Sequence, residues 1–155
     1  MIYYHTTRRL ADAMVARSLL DSLDSFYPDF GHWYVNTCLP GILLGSDTLL
    51  VARDGPAIIG VALGKKTLQE TKLRCVRVHP AYRSKGVGVR LIEKMLRELD
   101  CDKPHCTVAE EMLHLFSRAF VNHFSFNLNR VDKGLYRPAK LEYAFNCPTS
   151  MKASS

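Results

Sequence analysis

The sequence predicts a single α/β (α+β) domain, with a mixed, mostly antiparallel central sheet of about six or seven strands and about four flanking helices. The first observation is the turn dipeptide at Asp54 and Gly55, which lies between two apolar strands and predicts a hairpin. The second is an apolar strand at residues 72–78 that passes through a glycine turn into an amphipathic helix at residues 87–99. The third is a pair of strand-like segments near the end of the chain, which predicts two further strands.

The length and composition of the chain fit one domain. With 155 residues, of which 47% are hydrophobic, the chain can bury a full core. We expect this domain to cover residues 1–146, and we expect residues 147–155, which are small and polar, to form a frayed tail. The predicted strands are short apolar or alternating segments bounded by turn residues: residues 2–4, 47–53, 57–65, 72–78, 105–109, 126–130 and 140–145.

Four helices are predicted from apolar residues that recur every three or four positions and so form one face. They cover residues 10–23, 32–44, 87–99 and 110–124. The third is the clearest, because its apolar positions from Val87 to Leu99 all fall on one side. Pro40 and Gly41 interrupt the second helix, and the sequence leaves open whether the helix breaks there.

Hydropathy, cysteine content and charge restrict the setting and the partners of the protein. No apolar run approaches the roughly 18 residues that a membrane span needs, so we expect no membrane partner. The first ten residues lack the apolar core of a signal peptide, which predicts a cytoplasmic protein. The five cysteines are odd in number and irregularly spaced, so we predict neither a disulfide framework nor a metal site. The net charge of +6 favours anionic partners.

A glycine turn formed by Gly86, Val87 and Gly88 joins the central strand to the third helix. The first amide groups of a helix have no acceptor within it, and the helix dipole adds partial positive charge at that end. Arg83 and Lys85 add two formal charges beside the turn, and glycine lets a ligand approach the backbone closely. The pattern predicts a phosphate or pyrophosphate site, although two glycines are also compatible with a plain chain reversal.

The residues around this turn differ from two common nucleotide sites. No lysine followed by serine or threonine comes after the glycines, as a P-loop requires, and no third glycine stands at the dinucleotide spacing. Residues 76–88 instead read VRVHPAYRSKGVG. This segment resembles the acetyl-CoA signature of the GNAT N-acetyltransferases, an apolar strand ending in V-x-P and followed by R/Q-x-x-G-x-G/A. Arg83, Gly86 and Gly88 occupy its fixed positions.

The resemblance extends to the order of elements, β-α-α-β-β-β-α-β-α-β-β, which is that of the GNAT fold. It implies a sheet that is splayed between the fourth and fifth strands. It also implies that acetyl-CoA is the co-substrate and that its acetyl group passes to a primary amine. Aromatic residues in the segment of the first two helices would then form a wall of the acceptor site, unless they only fill the core: Tyr27, Phe30, Trp33 and Tyr34.

The resemblance assigns the cofactor site residue by residue. The backbone amides of the glycine turn would hold the phosphates, with Arg83 and Lys85 nearby. The edge of the central strand would pair with the pantetheine arm, and the amide of Val78 would donate to the thioester oxygen. The predicted cofactor-binding residues are Val76, Arg77, Val78, Arg83, Ser84, Lys85, Gly86, Val87 and Gly88.

The proton-handling residues are where the sequence departs from the family pattern. Many members carry F-Y-x-x-x-G-F late in the fourth helix, with the tyrosine as the acid that reprotonates the thiolate. Residues 120–126 place Val121 at the tyrosine position and Ser125 at the glycine position. The glutamate that many members carry before the glycine turn corresponds to the region of Arg74. Both usual groups are therefore missing.

Four other residues are candidates for the catalytic groups. Glu110 and Glu111 follow the strand that would line the splay, where burial would raise the pKa of a carboxylate base; alternatively they complement a helix dipole. Tyr136, in the last hairpin, is a candidate acid or a packing residue. Ser117 precedes Val121 by one helical turn and is a candidate partner of the thiolate. The sequence leaves open that water alone moves the protons.

The acceptor is expected to be a primary amine on a macromolecule, either a protein or an aminoacyl-tRNA. The reason is a set of cations around the last hairpin, which also suits a plain solvated surface: Arg130, Lys133, Arg137 and Lys140. The alternatives are a small-molecule amine acetyltransferase and a non-catalytic acyl-CoA sensor or interaction module on the same fold. The sequence leaves open whether the protein forms a homodimer.

Overall fold

In a computed structural model of the protein, which describes residues 1–147, seven strands form two sheets. The strands are β1 (Ile2–Thr7), β2 (Asp47–Asp54), β3 (Ala57–Lys66), β4 (Thr71–Val78), β5 (Cys106–Ala109), β6 (Leu128–Lys133) and β7 (Leu141–Phe145). The first sheet has the order β1-β2-β3-β4, with every neighbour antiparallel. The second has the order β5-β7-β6 and is also antiparallel.

The two sheets touch between the first residues of β4 and His105, just before β5, where the two chain segments run parallel. The N–H of Leu73 donates to the carbonyl of His105 at 3.0 Å, and the N–H of His105 donates to the carbonyl of Thr71 at 3.0 Å. Beyond this contact, residues Cys106–Ala109 of β5 pair with β7 instead of β4. The splay that was expected between the fourth and fifth strands is confirmed.

The helices are α1 (Leu10–Leu20), α2 (Phe30–Trp33), α3 (Leu39–Leu44), α4 (Val87–Leu99) and α5 (Leu113–Ser117). The first four cover the two faces of the first sheet, whereas α5 lies against β5 of the second sheet. The apolar stripe of α4, including Leu91, Ile92 and Met95, packs on one face of the sheet together with the aromatic residues of the second sheet. On the other face α1–α3 bury a second cluster, in which the Tyr34 hydroxyl donates to the carbonyl of Ala13 at 2.7 Å.

The predicted helix over residues 32–44 starts earlier and does not break at its proline. It begins at Phe30 and continues through a π-helical turn, Tyr34–Cys38, into α3. The N–H of Leu39 donates to the carbonyl of Tyr34, one residue further back than in an α-helix. Since the π turn has already shifted the hydrogen-bond pattern, Pro40 fits at the start of α3 without breaking the helix.

Other boundaries also differ from the predictions; strand β1, for example, runs to Thr7 instead of ending at Tyr4. The first helix ends as an α-helix at Leu20 and tightens into a 3₁₀ turn, Asp21–Ser25. The predicted helix over residues 110–124 is a 3₁₀ turn, α5 and a π turn in succession, Glu110–Met112, Leu113–Ser117 and Arg118–His123. Strand β6 starts two residues later than predicted. Phe126 still belongs to the end of the preceding helical segment, because its N–H donates to the carbonyl of Phe120 at 2.7 Å.

The C-terminal tail that was expected over residues 147–155 lies outside the described residues, apart from its first residue. Cys147 is buried, and its N–H donates to the Asn129 side chain at 2.7 Å. Within residues 1–147 no helix has both the length and the apolar run that a membrane crossing requires.

Candidate active site

The glycine turn caps α4 with its backbone. Gly86 adopts the left-handed φ of +81°, and a Cβ built there would meet no atom within 4 Å. The first helical hydrogen bond runs from the N–H of Arg90 to the carbonyl of Gly86 at 3.0 Å. The amide groups of the three residues before Arg90 therefore point out of the helix end, where a phosphate can accept hydrogen bonds from them.

A cleft of about 750 Å³ opens in front of this helix end, between β4 and the helical segment over residues 110–123. We refer to this segment, which includes α5, as the α5 region. Most of the predicted cofactor-binding residues line it: Val76, Arg77, Val78, Arg83, Ser84, Gly86, Val87 and Gly88. Lys85 instead places its ammonium 5.5 Å from the centroid of the Tyr82 ring. The Arg83 guanidinium donates to the Val78 carbonyl at 3.3 Å. The cleft joins unpaired helix amides to an open strand edge, and these groups fit the diphosphate and the pantetheine arm of coenzyme A.

A β-bulge at Arg74 decides which amides of β4 face the cleft. Leu73 is opposite Gly64 and Cys75 is opposite Leu63, so Arg74 is the extra residue. The N–H of Leu73 points to β5, whereas the N–H of His79 points to the carbonyl of Ile59 on β3. Without the bulge these two odd-numbered amides would face the same side, because strand amides alternate.

Counting back from His79, the N–H and C=O groups of Val76 and Val78 point away from β3 and into the splay. The Val78 carbonyl also points into the splay, because it accepts a hydrogen bond from the Arg83 side chain on that side. A preorganised amide at this edge can donate to a thioester oxygen as negative charge develops on it. The bulge thus turns the N–H groups of Val76 and Val78 toward the splay, where an acyl-transfer site needs a hydrogen-bond donor.

The cofactor cleft continues through the splay into a second cavity. A narrow channel of about 50 Å³ follows β4 and shares Val76, Arg77 and Phe116 with the cleft. At its far end the channel shares Tyr27, Cys75 and other residues with a cavity of about 340 Å³. We refer to this second space as the acceptor cavity, because a molecule placed there would meet the cofactor only through the splay.

Aromatic and charged side chains form the walls of the acceptor cavity. The edge of the Tyr27 ring meets the Tyr136 ring with centroids 5.2 Å apart. Arg74 lies over the Trp33 ring at 5.1 Å and donates to the buried Asp47 carboxylate at 2.9 Å. Of the aromatic residues expected at this wall, Tyr27, Phe30 and Trp33 line the cavity, whereas Tyr34 is fully buried in the core.

Behind Tyr27 lies a carboxylate that the sequence interpretation missed. Glu142 is only 3% exposed, and it accepts a hydrogen bond from the Tyr27 hydroxyl at 2.7 Å. Burial raises the pKa of Glu142, and the bonds that its carboxylate accepts oppose this only in part. Burial also raises the pKa of Tyr27 far above its usual range, with the neighbouring Glu142 adding to the effect. In sequence, Glu142 is one polar residue in a short strand, a pattern typical of a solvent-facing position.

The two glutamates predicted as bases are both engaged in structural contacts. The Glu111 carboxylate accepts two hydrogen bonds from the Arg137 guanidinium, at 2.9 and 2.7 Å. This pairing lowers the pKa of Glu111 to about 2, opposite to the upward shift expected from burial. Glu110 accepts a hydrogen bond from the N–H of Leu141 at 3.1 Å, which ties β7 to the start of the α5 region.

The helix that was expected to supply the acid presents different residues to the cleft. The cleft-lining residues of this segment are Met112, Leu115, Phe116, Arg118, Ala119, Asn122 and His123, a set that leaves out Ser117 and Val121. The π turn changes the helical phase just before Val121, which is 48% exposed. Ser125, which stands where the family pattern has a glycine, has a φ of +56°, a conformation that glycine adopts readily.

Comparisons with known proteins agree with this geometry. The model of the acetyltransferase (GNAT) family matches residues 13–124. A search of curated protein sequences gives no significant match. Solved structures share the fold at low sequence identity, in each case over 94% of this chain.

Three of these structures show the range of the similarity. A GNAT-family acetyltransferase from Desulfovibrio desulfuricans is 15% identical with a TM-score of 0.72, over 97% of its own length. The ribosomal-protein-S18-alanine N-acetyltransferase of Escherichia coli is 14% identical with a TM-score of 0.69, over 92% of its length. NAA60 of Arabidopsis thaliana in complex with acetyl-CoA is 16% identical with a TM-score of 0.70, over 97% of its length.

The family match covers most of the chain, and the cleft at the glycine turn fits the co-substrate that the family signature implies. The chain belongs to the GNAT acetyltransferase family and is an acyltransferase, and its family signature implies acetyl-CoA as the co-substrate.

Proposed function

We propose that the protein is an N-acetyltransferase whose acceptor is a primary amine, carried preferably by another polypeptide. The observation that carries the proposal is the continuous path from the cofactor cleft through the splay into the acceptor cavity. An amine that enters from the acceptor side reaches the thioester where β4 presents the amides of Val76 and Val78. The thioester carbon, held there, is open to attack by the amine from one face of the carbonyl plane.

The lining of the acceptor cavity supports an acceptor with an apolar or aromatic neighbour next to its amine. Leu23, Phe30, Trp33 and Leu73 supply apolar surface, and the two tyrosines Tyr27 and Tyr136 supply polar groups near the channel. A lining of this kind, mostly apolar with a few placed polar groups, is typical of pockets that enclose a small group. One side chain of a polypeptide and the amine beside it would be such a group.

The charges near the last hairpin favour a polypeptide over an RNA-linked acceptor. Three of the four cations that suggested RNA have carboxylate partners: Arg137 and Lys140 pair with Glu111, at 2.7 and 3.8 Å, and Arg130 pairs with Asp132 at 2.9 Å. A guanidinium whose charge is already neutralised by a carboxylate displaces few counterions from an RNA backbone, so it adds little to RNA affinity. The basic hairpin is therefore weaker support for aminoacyl-tRNA than its sequence suggested.

The proposal is tested by measuring thiol release from acetyl-CoA with three classes of acceptor. These are peptides with free amino termini or lysines, aminoacyl-tRNA, and small polyamines or aminoglycosides. We expect the highest kcat/KM with peptides. Higher values for a small amine would overturn the polypeptide assignment, and acetyl-CoA binding without turnover in any class would favour the sensor.

A further inference from the structure

Resting on the proposed function, we propose that Tyr27 and Glu142 form a proton relay that removes a proton from the acceptor ammonium. Tyr27 is the group that touches the acceptor, and Glu142 acts through it. The pair brings together two residues 115 positions apart in the chain, at the junction of the channel and the acceptor cavity, both of which Tyr27 lines.

The position of the pair matches the place where the amine must lose its proton. Tyr27 lines both the narrow channel and the acceptor cavity, so an amine that approaches the thioester passes this side chain. Glu142 lies on β7 opposite Ala109, the last residue of β5 beside the splay. Its carboxylate is shielded from water, and the Tyr27 hydroxyl connects it to the cavity.

The charged and titratable surroundings suit a proton acceptor rather than a fixed ion pair. The groups that act on Glu142 are Tyr27 from the turn after α1, Thr107 from β5, Glu111 from the α5 region and Arg137 from the last hairpin. The groups that act on Tyr27 are Glu142, Tyr136 and Cys75. Arg137 is already engaged in its bidentate pair with Glu111, so it acts on the Glu142 carboxylate only through its charge and makes no hydrogen bond to it.

The step balances as a transfer of one proton. An N–H proton of the ammonium passes to the Tyr27 oxygen while the phenolic proton of Tyr27 passes to the Glu142 carboxylate. The products are a neutral amine, a neutral phenol and a neutral carboxylic acid. Because burial keeps the Tyr27 phenol protonated at neutral pH, Tyr27 conducts the proton and Glu142 is its final acceptor.

The remaining atoms follow from the acyl transfer itself. The neutral amine attacks the thioester carbon, the C–N bond forms and the C–S bond breaks. A second proton leaves the attacking nitrogen and is taken up by the thiolate sulfur, so coenzyme A departs as the thiol. Glu142 returns its proton to water when the amide product has left and the cavity opens to solvent.

The test compares Tyr27→Phe and Glu142→Gln with Tyr34→Phe. Tyr34 is a matched control, because it also loses a hydroxyl that donates a 2.7 Å hydrogen bond, but inside the core. At pH 7 we expect both relay variants to lose about 100-fold in kcat, the typical contribution of a general base, with the affinity for acetyl-CoA unchanged. We expect Tyr34→Phe to retain kcat within about threefold.

The pH profile separates a relay from a structural role. In the relay variants the rise of kcat/KM with pH should move to the pKa of the free amine, so the loss should shrink to a few-fold near pH 10. An acceptor amine that is already neutral at pH 7 should restore the rate in the same way. A loss that is equal at every pH and for both amines would overturn the relay, as would no loss at all.

The outcomes also distinguish this inference from the proposed function. If the wild-type protein binds acetyl-CoA but acetylates no amine, the proposed function fails before the relay is tested. If the wild type turns over peptides and Glu142→Gln is not folded by thermal melt, Tyr27→Phe decides alone, since it leaves the buried carboxylate in place. Normal kinetics in Tyr27→Phe would then overturn the proposal.

Discussion

The cofactor cleft and the acceptor cavity are built in different ways, although they meet in one splayed sheet. The cleft is made mainly by one continuous segment, from the edge of β4 through the glycine turn into α4, and it binds with backbone groups. The acceptor cavity is made by side chains from the turn after α1, from β4, from β5 and from the last hairpin. Its central hydrogen bond joins Tyr27 to Glu142.

This difference separates co-substrate binding, which many proteins can share, from acceptor recognition, which is particular to one protein. Backbone amides at a helix end can hold the same diphosphate whatever the neighbouring side chains are, so the cleft needs only a few fixed residues. The acceptor cavity depends on the identity and pKa of individual side chains, which can change without changing the fold. Substitutions in the two regions should therefore affect different kinetic constants.

The largest effect is expected in the cofactor cleft, from Gly86→Glu. The new carboxylate would stand at the helix end where the diphosphate binds, and the left-handed φ of +81° would strain the loop. We expect the affinity for acetyl-CoA to fall by roughly 100-fold or more, about 2.7 kcal/mol, as measured by calorimetry.

Gly134→Glu is the matched control for this variant. Gly134 has a φ of +78° and, like Gly86, has no atom within 4 Å of a Cβ built on it, but it lies in the last hairpin. The two variants carry the same charge and a similar backbone strain, so only the location differs. Unchanged affinity in Gly86→Glu, or equal losses in both variants, would contradict the assignment of the diphosphate site.

How far the sequence predicted each region follows from the same difference. The strand, the turn and the amphipathic helix of the cleft are encoded by neighbouring residues, so spacing was enough to place Gly86 and Gly88 correctly at the helix start. The bulge at Arg74 was not predicted, because it is defined by pairing with β3, which lies far away in sequence. Only the structure could therefore show which N–H groups of β4 face the splay.

The acceptor cavity was predicted least well, for the same physical reason. Glu142 is buried because β7 is the central strand of the second sheet, and nothing in its own segment shows that position. Glu111 was expected to gain a raised pKa, but a guanidinium 26 residues later in the chain holds it low. Local sequence cannot show which charge will face a carboxylate across a turn.

An intermediate effect, confined to the acceptor cavity, is expected from Gly41→Ala. A Cβ at Gly41 would lie 1.9 Å from the Asp47 carboxylate, which holds Arg74 against Trp33 at the cavity wall. We expect a loss of about 2 kcal/mol in unfolding free energy, typical of overpacking, and a rise in KM for the amine of roughly tenfold. The affinity for acetyl-CoA should not change.

Adding Asp47→Ala to Gly41→Ala tests whether the clash is the cause. The double variant removes the carboxylate that the new methyl group meets, so the cost of Gly41→Ala should vanish in that background. An equal cost in both backgrounds, measured by urea unfolding, would mean that the α3 backbone and not Asp47 resists the methyl group. A weaker affinity for acetyl-CoA would show that the two regions are coupled.

The smallest effect is expected from Glu111→Gln, which lies between the two regions. Because Arg137 lowers the pKa of Glu111 to about 2, the ion pair stabilises the folded state fully above the ordinary carboxyl pKa of 4.5. That contribution is lost as the pH falls through about 2. The stability difference between wild type and variant, measured by thermal melts, should be small and constant near pH 7 and should disappear in acid.

The same variant decides between Glu111 and Glu142 as the proton acceptor. A carboxylate already ionised at every physiological pH and bound by a guanidinium is a poor base, so kcat at pH 7 should change by less than about twofold. A loss of about 100-fold that is recovered at high pH would instead identify Glu111 as the base. It would also require the Arg137 pair to open when the acceptor enters, since the proton could not otherwise reach the carboxylate.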